Sequence, residues 1–120
     1  MRNYKNYEIW KKAHELSLTI YKISNNFPKT EQYGLTSQLR RAAVSIALNI
    51  VEGSGRKSEK EFSQFLYIAA ASAGETEYIT QLCADLSYID QKESIIIVET
   101  TNHLRRMIYN FIKKHPPKHQ

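Results

Sequence analysis

The sequence has few of the residues that interrupt or cross-link a chain. Its 120 residues include four glycines, three prolines and one cysteine, Cys83. So few turn-forming residues argue against a sandwich or barrel of many short strands. A single cysteine can form no internal disulfide and cannot build a thiolate zinc cluster, which favours a reducing compartment. This composition predicts one helical domain that has neither kind of cross-link.

Long apolar runs are also absent. No stretch has the length of a membrane-spanning helix or of a signal-peptide core, and the first six residues are polar overall. Together with the single cysteine, this pattern predicts a cytoplasmic protein that does not associate with membranes.

Acidic residues are outnumbered by basic ones. Seventeen lysines and arginines against twelve aspartates and glutamates give a formal net charge of +5. Residues 1–60 carry a net charge of +6 and residues 61–120 a net charge of −1. Excess positive charge attracts polyanions, so we expect a nucleic acid to be attracted most strongly to the first half of the chain.

Apolar side chains recur every three or four residues through four segments, which is the spacing of amphipathic helices. The predicted helices cover residues 7–26, 34–53, 58–89 and 91–114, followed by a basic tail at residues 115–120. The β-branched run at residues 95–98 could form a strand, but a lone strand would have no partner in this chain, and we interpret it as helical.

Local signals set the ends of these helices. Pro28 limits the first helix, and Gly53-Ser54-Gly55 suits the C-cap and tight turn that end the second. Ser58–Glu61 and Asp90–Glu93 have the spacing of capping boxes at the starts of the third and fourth helices. Short connections between four such helices favour an all-α, up-and-down antiparallel four-helix bundle.

The second predicted helix is apolar on two flanks. One flank continues the core spacing of the bundle, and the other consists of Val44, Leu48 and Val51. A helix that is apolar on both flanks is usually buried by more than its own bundle. We therefore predict that Val44, Leu48 and Val51 form an interface with further copies of this chain.

A polar stripe separates these two flanks. It consists of Gln38, Arg41, Ser45, Asn49 and Glu52. Buried polar groups need partners, so we interpret the stripe as a hydrogen-bonded network that fixes the register of helices or subunits. The alternative is a catalytic carboxylate, which nothing nearby supports.

One long segment resembles a known family. It runs from Gln38 to Gly53 (QLRRAAVSIALNIVEG) and is preceded by Phe27–Pro28 and by Glu31–Leu35 (EQYGL). These residues closely resemble the four-helix-bundle family that includes proteins encoded by intervening sequences of bacterial 23S ribosomal RNA genes, also labelled S23 ribosomal proteins. Ile9-Trp10, Ser58 with Phe62 and Phe65, and Glu75 with Glu77 extend the likeness over nearly the whole chain.

The resemblance carries expectations about assembly and partners. It implies a ring-like homo-oligomer, with a pentamer expected. A related branch acts as the accessory protein of diversity-generating retroelements. The likeness to that branch implies two kinds of partner for this chain: RNA or DNA, and a reverse transcriptase or another nucleic-acid enzyme.

The turn after the second helix is the strongest candidate for phosphate contacts. Gly53–Ser58 (GSGRKS) is not a nucleotide-hydrolysing loop, because that loop needs a glycine directly before the lysine and a preceding strand. Backbone N–H groups at the start of the third helix would still attract a phosphate beside nearby basic side chains. The candidate nucleic-acid-binding residues are Arg40, Arg56, Lys57, Lys60, Arg105 and Arg106.

Adjacent arginines cannot share one face of a helix, because successive side chains point about 100° apart. We expect Arg41 to be the buried or interfacial member of its pair and Arg40 to be the exposed one. The eight tyrosines are scattered along the chain and give no ribonucleoprotein-type stacking motif.

No spacing in the sequence indicates catalysis, a metal site or a cofactor. His14 and His103 are isolated, the other two histidines lie in the proline-broken tail, and Cys83 has core spacing. The sequence therefore predicts a non-enzymatic, homo-oligomeric nucleic-acid-binding accessory or adaptor protein. The alternative is a self-assembling protein-interaction scaffold with no nucleic-acid role.

Overall fold

A computed structural model describes residues 2–116, and their helices pack in the order of the chain. The helices are α1 (Glu8–Ser24), α2 (Leu35–Ser54), α3 (Glu59–Asp85) and α4 (Gln91–Lys114). Each helix packs on the next, and α4 closes the arrangement against α1. The predicted all-α, up-and-down antiparallel four-helix bundle is confirmed, and residues 95–98 are helical as predicted. Most of the predicted basic tail, residues 117–120, lies outside the described residues.

The core lies along the bundle axis and is lined by aliphatic side chains from every helix. Its largest members with almost no exposed surface are Ile20, Leu39, Ile46, Ile50, Leu66, Leu104 and Ile108. Buried threonines of α3 and α4 contribute too. The hydroxyls of Thr76 and Thr101 donate to the carbonyls four residues earlier at 2.8 and 2.7 Å, which satisfies them locally.

The start of α3 agrees with the sequence, but the start of α4 does not. The Ser58 hydroxyl accepts a hydrogen bond from the Glu61 N–H at 3.1 Å, as an N-cap should. Asp90 occupies the corresponding position before α4, and its side chain makes no capping hydrogen bond. The capping box predicted at Asp90 is therefore wrong.

Helix α3 ends four residues earlier than predicted. Ser87 has φ of 67°, a left-handed conformation that a continuing helix does not allow. The N–H of Ser87 donates to the carbonyl of Ala84 at 2.9 Å, and the N–H of Tyr88 donates to that of Cys83 at 2.8 Å. These two bonds form a Schellman motif with serine at the position that glycine usually takes, so no residue type in the sequence indicates this helix end.

Helix α2 ends within the predicted Gly53-Ser54-Gly55 segment: it continues through Gly53 to Ser54, and Gly55 is its C-cap. A Cβ atom at Gly53 would lie 2.8 Å from the Cβ of Phe65 and 2.9 Å from the Cδ1 of Phe62. The absence of a side chain therefore lets the end of α2 approach α3 directly. This contact lies immediately before the turn that joins the two helices.

The two ends of the bundle contain different parts of the chain. One end holds the start of α1, the α2–α3 turn and the end of α4, and Tyr7 lies there between Phe62 and Phe111 at ring-centroid distances of 6.2 and 5.0 Å. The other end holds the α1–α2 and α3–α4 connections. There Phe27 packs against Tyr88 at 5.9 Å.

Candidate functional site

Positive charge is concentrated at one end of the bundle. The basic end, defined as residues 2–12, 50–62 and 106–114, carries ten basic and four acidic side chains. The neutral end, defined as residues 20–40 and 80–95, carries four of each. The topology therefore gathers charges that are scattered along the sequence. Of the predicted nucleic-acid contacts, it brings together Arg56, Lys57, Lys60 and Arg106.

The α2–α3 turn and the first turn of α3 carry three of these side chains. The Arg56 guanidinium lies 3.6 Å from the Glu52 carboxylate and 4.7 Å over the Phe65 ring. Lys57 and Lys60 are exposed, and no ion pair within residues 2–116 involves them. Their positive charges are therefore open to solvent and available to an external anion.

The start of α3 offers less to an anion than the sequence suggested. The N–H of Glu61 already donates a hydrogen bond to the Ser58 hydroxyl, and Glu59 and Glu61 add two carboxylates to the first turn. Negative charge near a helix N-terminus weakens its attraction for a further anion. The attraction at this turn therefore comes from the lysine side chains rather than from backbone donors.

Arg2 is a part of the basic end that sequence reasoning missed. Its guanidinium donates to the carbonyl of Arg56, to the Glu59 carboxylate and to the Ser54 carbonyl, the last at 3.4 Å. It also lies 4.5 Å over the Phe62 ring. These partners are more than fifty residues away in sequence, so no local pattern indicates the contact. Arg2 fixes the basic turn instead of offering a free charge.

Arg105 and Arg106 have different surroundings. Arg105 Nε donates to Glu77 Oε2 at 2.8 Å, and Asn102 donates to the other oxygen of Glu77 at 3.3 Å. This half-buried pair neutralises Arg105 within the bundle. Arg106 is exposed and lines an open pocket with Lys113 and two tyrosines. Within the described part of the chain, Arg106 forms no ion pair and is the member of this pair that is available to a ligand.

The predicted exposure of Arg40 is wrong. Arg40 lies at the neutral end, where its Nε donates to the Ser24 hydroxyl at 2.7 Å. Its Nη2 donates to the Asn25 side chain at 3.0 Å and to the Tyr21 carbonyl at 3.3 Å. A cation that binds these groups caps the C-terminus of α1, since helix carbonyls there lack partners.

Arg41 is the exposed member of the pair. It lines a groove between α2 and α3 together with Tyr33, Ser45 and Glu75. The sequence could not distinguish the two arginines, because each lies next to an apolar flank. The hydrogen bonds from Arg40 to residues at the end of α1 determine which of the two arginines is partly buried.

The polar stripe of α2 forms a short hydrogen-bonded network. Ser45 and Ser72 join α2 to α3 through a hydroxyl–hydroxyl bond of 2.9 Å. Asn49 donates to the carbonyl and the hydroxyl of Ser45 at 2.7 and 2.9 Å. Arg41 and Glu52 are exposed and take no part in this network.

The second apolar flank of α2 faces solvent in the single chain. Val44 is 36% exposed and Leu48 is 54% exposed, while Val51 is half-buried. Val51 also lines the pocket that contains Arg56 and Lys57. The apolar flank and the basic turn are therefore neighbouring parts of one surface.

We also searched the described residues for a metal site, a membrane-spanning helix and a reactive thiol. Among residues 2–116, no three His, Cys, Asp or Glu side chains lie close enough to hold a metal ion. None of the helices described is both long and apolar enough to cross a membrane. Burial raises the pKa of the Cys83 thiol to about 11, so it stays protonated at neutral pH.

Two comparisons with known proteins match the chain. Its fold is similar to the crystal structure, at 1.70 Å resolution, of a protein of unknown function from the S23 ribosomal protein family of Bacteroides thetaiotaomicron. The TM-score is 0.81 at 24% identity over 88% of this chain and 98% of that one, a likeness of fold alone. No curated protein matches. The model of the 23S rRNA-intervening sequence proteins matches residues 5–110, and this chain therefore belongs to that family.

Proposed function

We propose that this protein is a non-enzymatic, homo-oligomeric accessory or adaptor protein of the cytoplasm that binds the phosphates of RNA or DNA through its basic end. The observation that carries the proposal is the charge distribution, with ten basic and four acidic side chains at that end and balanced charge at the other. Phosphate contacts provide affinity without reading sequence. The protein would therefore recognise the shape and charge of its nucleic acid.

Self-association would strengthen this binding. The exposed flank of Val44, Leu48 and Val51 offers an apolar face, and symmetric association would repeat the basic end in every subunit. Repeated weak phosphate contacts add through avidity. In this proposal the assembly, of which a pentamer is the expected form, delivers nucleic acid to an enzyme such as a reverse transcriptase.

Fluorescence anisotropy across a salt series tests nucleic-acid binding. A labelled structured RNA is titrated with the wild type and with the variant Arg56→Gln, Lys57→Gln, Lys60→Gln. If each substituted residue contacts one phosphate, the negative slope of log affinity against log salt should become shallower by roughly 2 to 3 in the variant. The matched control Lys22→Gln, Lys29→Gln, Lys92→Gln removes three exposed charges from the neutral end and should leave the slope nearly unchanged.

Two results would contradict the proposal. If the wild type does not bind at low salt, the net charge has no role in nucleic-acid binding. If both triple variants lose the same affinity, the attraction comes from the net charge of the whole molecule and not from the basic end.

The exposed apolar flank also supports a second function, that of a protein-interaction scaffold. Light scattering after size-exclusion chromatography tests the flank with Leu48→Asp and Val51→Asp, which should dissociate the assembly because the charges would be buried. Leu86→Asp, another exposed leucine, serves as the control. An assembly that forms but binds no RNA would favour the scaffold, and one that survives Leu48→Asp and Val51→Asp would exclude this flank as its interface.

A further inference from the structure

Two tyrosine rings meet on the surface between α3 and α4. The ring centroids of Tyr67 and Tyr109 are 6.2 Å apart, and the ring planes are inclined by 55°. The two side chains are 54% and 39% exposed. The residues are 42 positions apart in the sequence, so only the packing of α3 on α4 reveals the pair. The bundle thereby has two partly exposed aromatic rings on its surface that do not belong to its core.

Two cations flank the tyrosine pair. Arg106 and Lys113 line the same open pocket of about 370 Å³ as both rings. On α4, Arg106, Tyr109 and Lys113 stand at i, i+3 and i+7, so they share one face, with the two cations about 10 Å apart along the helix. Within residues 2–116, neither cation forms an ion pair, whereas the adjacent Arg105 is held by Glu77.

We infer that this pocket binds single-stranded nucleic acid, with an unpaired base stacked on Tyr67 or Tyr109 and its flanking phosphates neutralised by Arg106 and Lys113. The inference rests on the proposed function and adds the class of nucleic acid to it. Exposed aromatic rings beside free cations are the combination that binds single strands with little sequence preference. In a duplex the base faces are covered by their neighbours, so the rings could contribute nothing there.

The surrounding residues are consistent with such a ligand. Asn110 also lines the pocket, and its amide can both donate to and accept from a base edge. None of the described residues that line the pocket is acidic. An anionic strand therefore meets no like charge among the residues that would contact it directly.

Anisotropy with two probes tests the inference. The full chain is titrated against a labelled unstructured oligouridine strand and against an RNA duplex of the same length. The variant Tyr67→Leu, Tyr109→Leu should lose roughly tenfold in affinity for the single strand, since one stacked base would be lost, and less than about twofold for the duplex. Tyr33→Leu, Tyr78→Leu is the matched control, because both tyrosines are exposed and lie outside the pocket.

The outcomes separate this inference from the proposed function. If the wild type binds neither probe, the proposed function fails and the inference fails with it. If the wild type binds both probes with steep salt dependence, and the variant Tyr67→Leu, Tyr109→Leu matches the control or weakens both probes equally, the proposed function stands and the stacking site is overturned.

Cross-linking of the wild type tests the pocket even if the tyrosine variant does not fold. A strand substituted with 4-thiouridine is irradiated in complex with the protein, and the adducts are located by mass spectrometry. Adducts on Tyr67 or Tyr109 support the pocket, and adducts confined to other residues overturn it.

Discussion

Arg40 and Glu31 of the neutral end have partners within the fold, whereas Lys57 and Lys60 of the basic end are exposed. At the neutral end, Arg40 caps α1, and Glu31 accepts the hydroxyl of Tyr88 at 2.9 Å and the N–H of Leu35 at 3.1 Å. At the basic end, Lys57 and Lys60 have no such partners within the described residues. The comparison shows that residue type does not decide the role of a charge. A cation is free for a ligand only where the fold gives it no partner.

The largest effect that would sharpen this comparison is expected at Arg40. Arg40→Ala removes three hydrogen bonds and the contact with the Tyr21 ring, and should lower the free energy of unfolding by about 2 kcal/mol. Urea denaturation measures this loss. When RNA affinity is calculated from the concentration of folded Arg40→Ala protein, it should differ from that of the wild type by less than about twofold. A variant of full stability that binds RNA poorly would place Arg40 in the nucleic-acid site instead.

A slightly smaller effect is expected at Glu31, which joins the α3–α4 connection to the start of α2. Glu31→Ala should cost about 1.5 kcal/mol, because the N–H of Leu35 and the hydroxyl of Tyr88 both lose their acceptor. The hydrogen bond to Glu31 also raises the pKa of Tyr88, so this pKa should fall in the variant. NMR titration of labelled tyrosine rings measures that change. An unaltered Tyr88 pKa would contradict the contact.

A modest effect at high pH is expected from Cys83, in the core near the neutral end. Burial raises the pKa of its thiol to about 11, so above the ordinary thiol pKa the unfolded chain loses this proton before the folded one does. The contribution to stability is complete at lower pH and is lost as pH rises from about 9 towards 11, with a slope of at most about 1.4 kcal/mol per pH unit. Thermal unfolding of Cys83→Ala should show a shallower decline than the wild type over this range. Equal slopes would refute the assignment.

The smallest effects are expected from the free lysines of the basic end. Lys57→Ala and Lys60→Ala remove exposed side chains that form no ion pair with any residue from 2 to 116, so each should change stability by less than about 0.5 kcal/mol. Urea denaturation provides the comparison with Arg40→Ala. A loss as large as that of Arg40→Ala would end the distinction between the two ends.

The sequence predicts the architecture well, because apolar periodicity and short connections are local properties. It places all four helices and the N-cap at Ser58, and α4 has the predicted bounds. It fails where one element decides the environment of another. The end of α1 selects Arg40 over Arg41, and Glu77 on α3 engages Arg105 but not Arg106.

The candidate site was predictable only in part for the same reason. The basic α2–α3 turn is continuous in sequence and could be identified. The tyrosine pair could not, because Tyr67 and Tyr109 come together only when α3 and α4 pack. The left-handed conformation of Ser87 could not be predicted either, since serine is an uncommon residue for that conformation.

The close approach at Gly53 has a consequence for the entropy of binding. With no side chain between them, α2 and α3 touch immediately before the basic turn, and Arg2 holds the carbonyls of Ser54 and Arg56 on its other side. The backbone of the turn is thus already ordered in the free protein. Its conformational entropy is lost once, when the chain folds, so attachment of a polyanion has only the lysine side chains left to restrain.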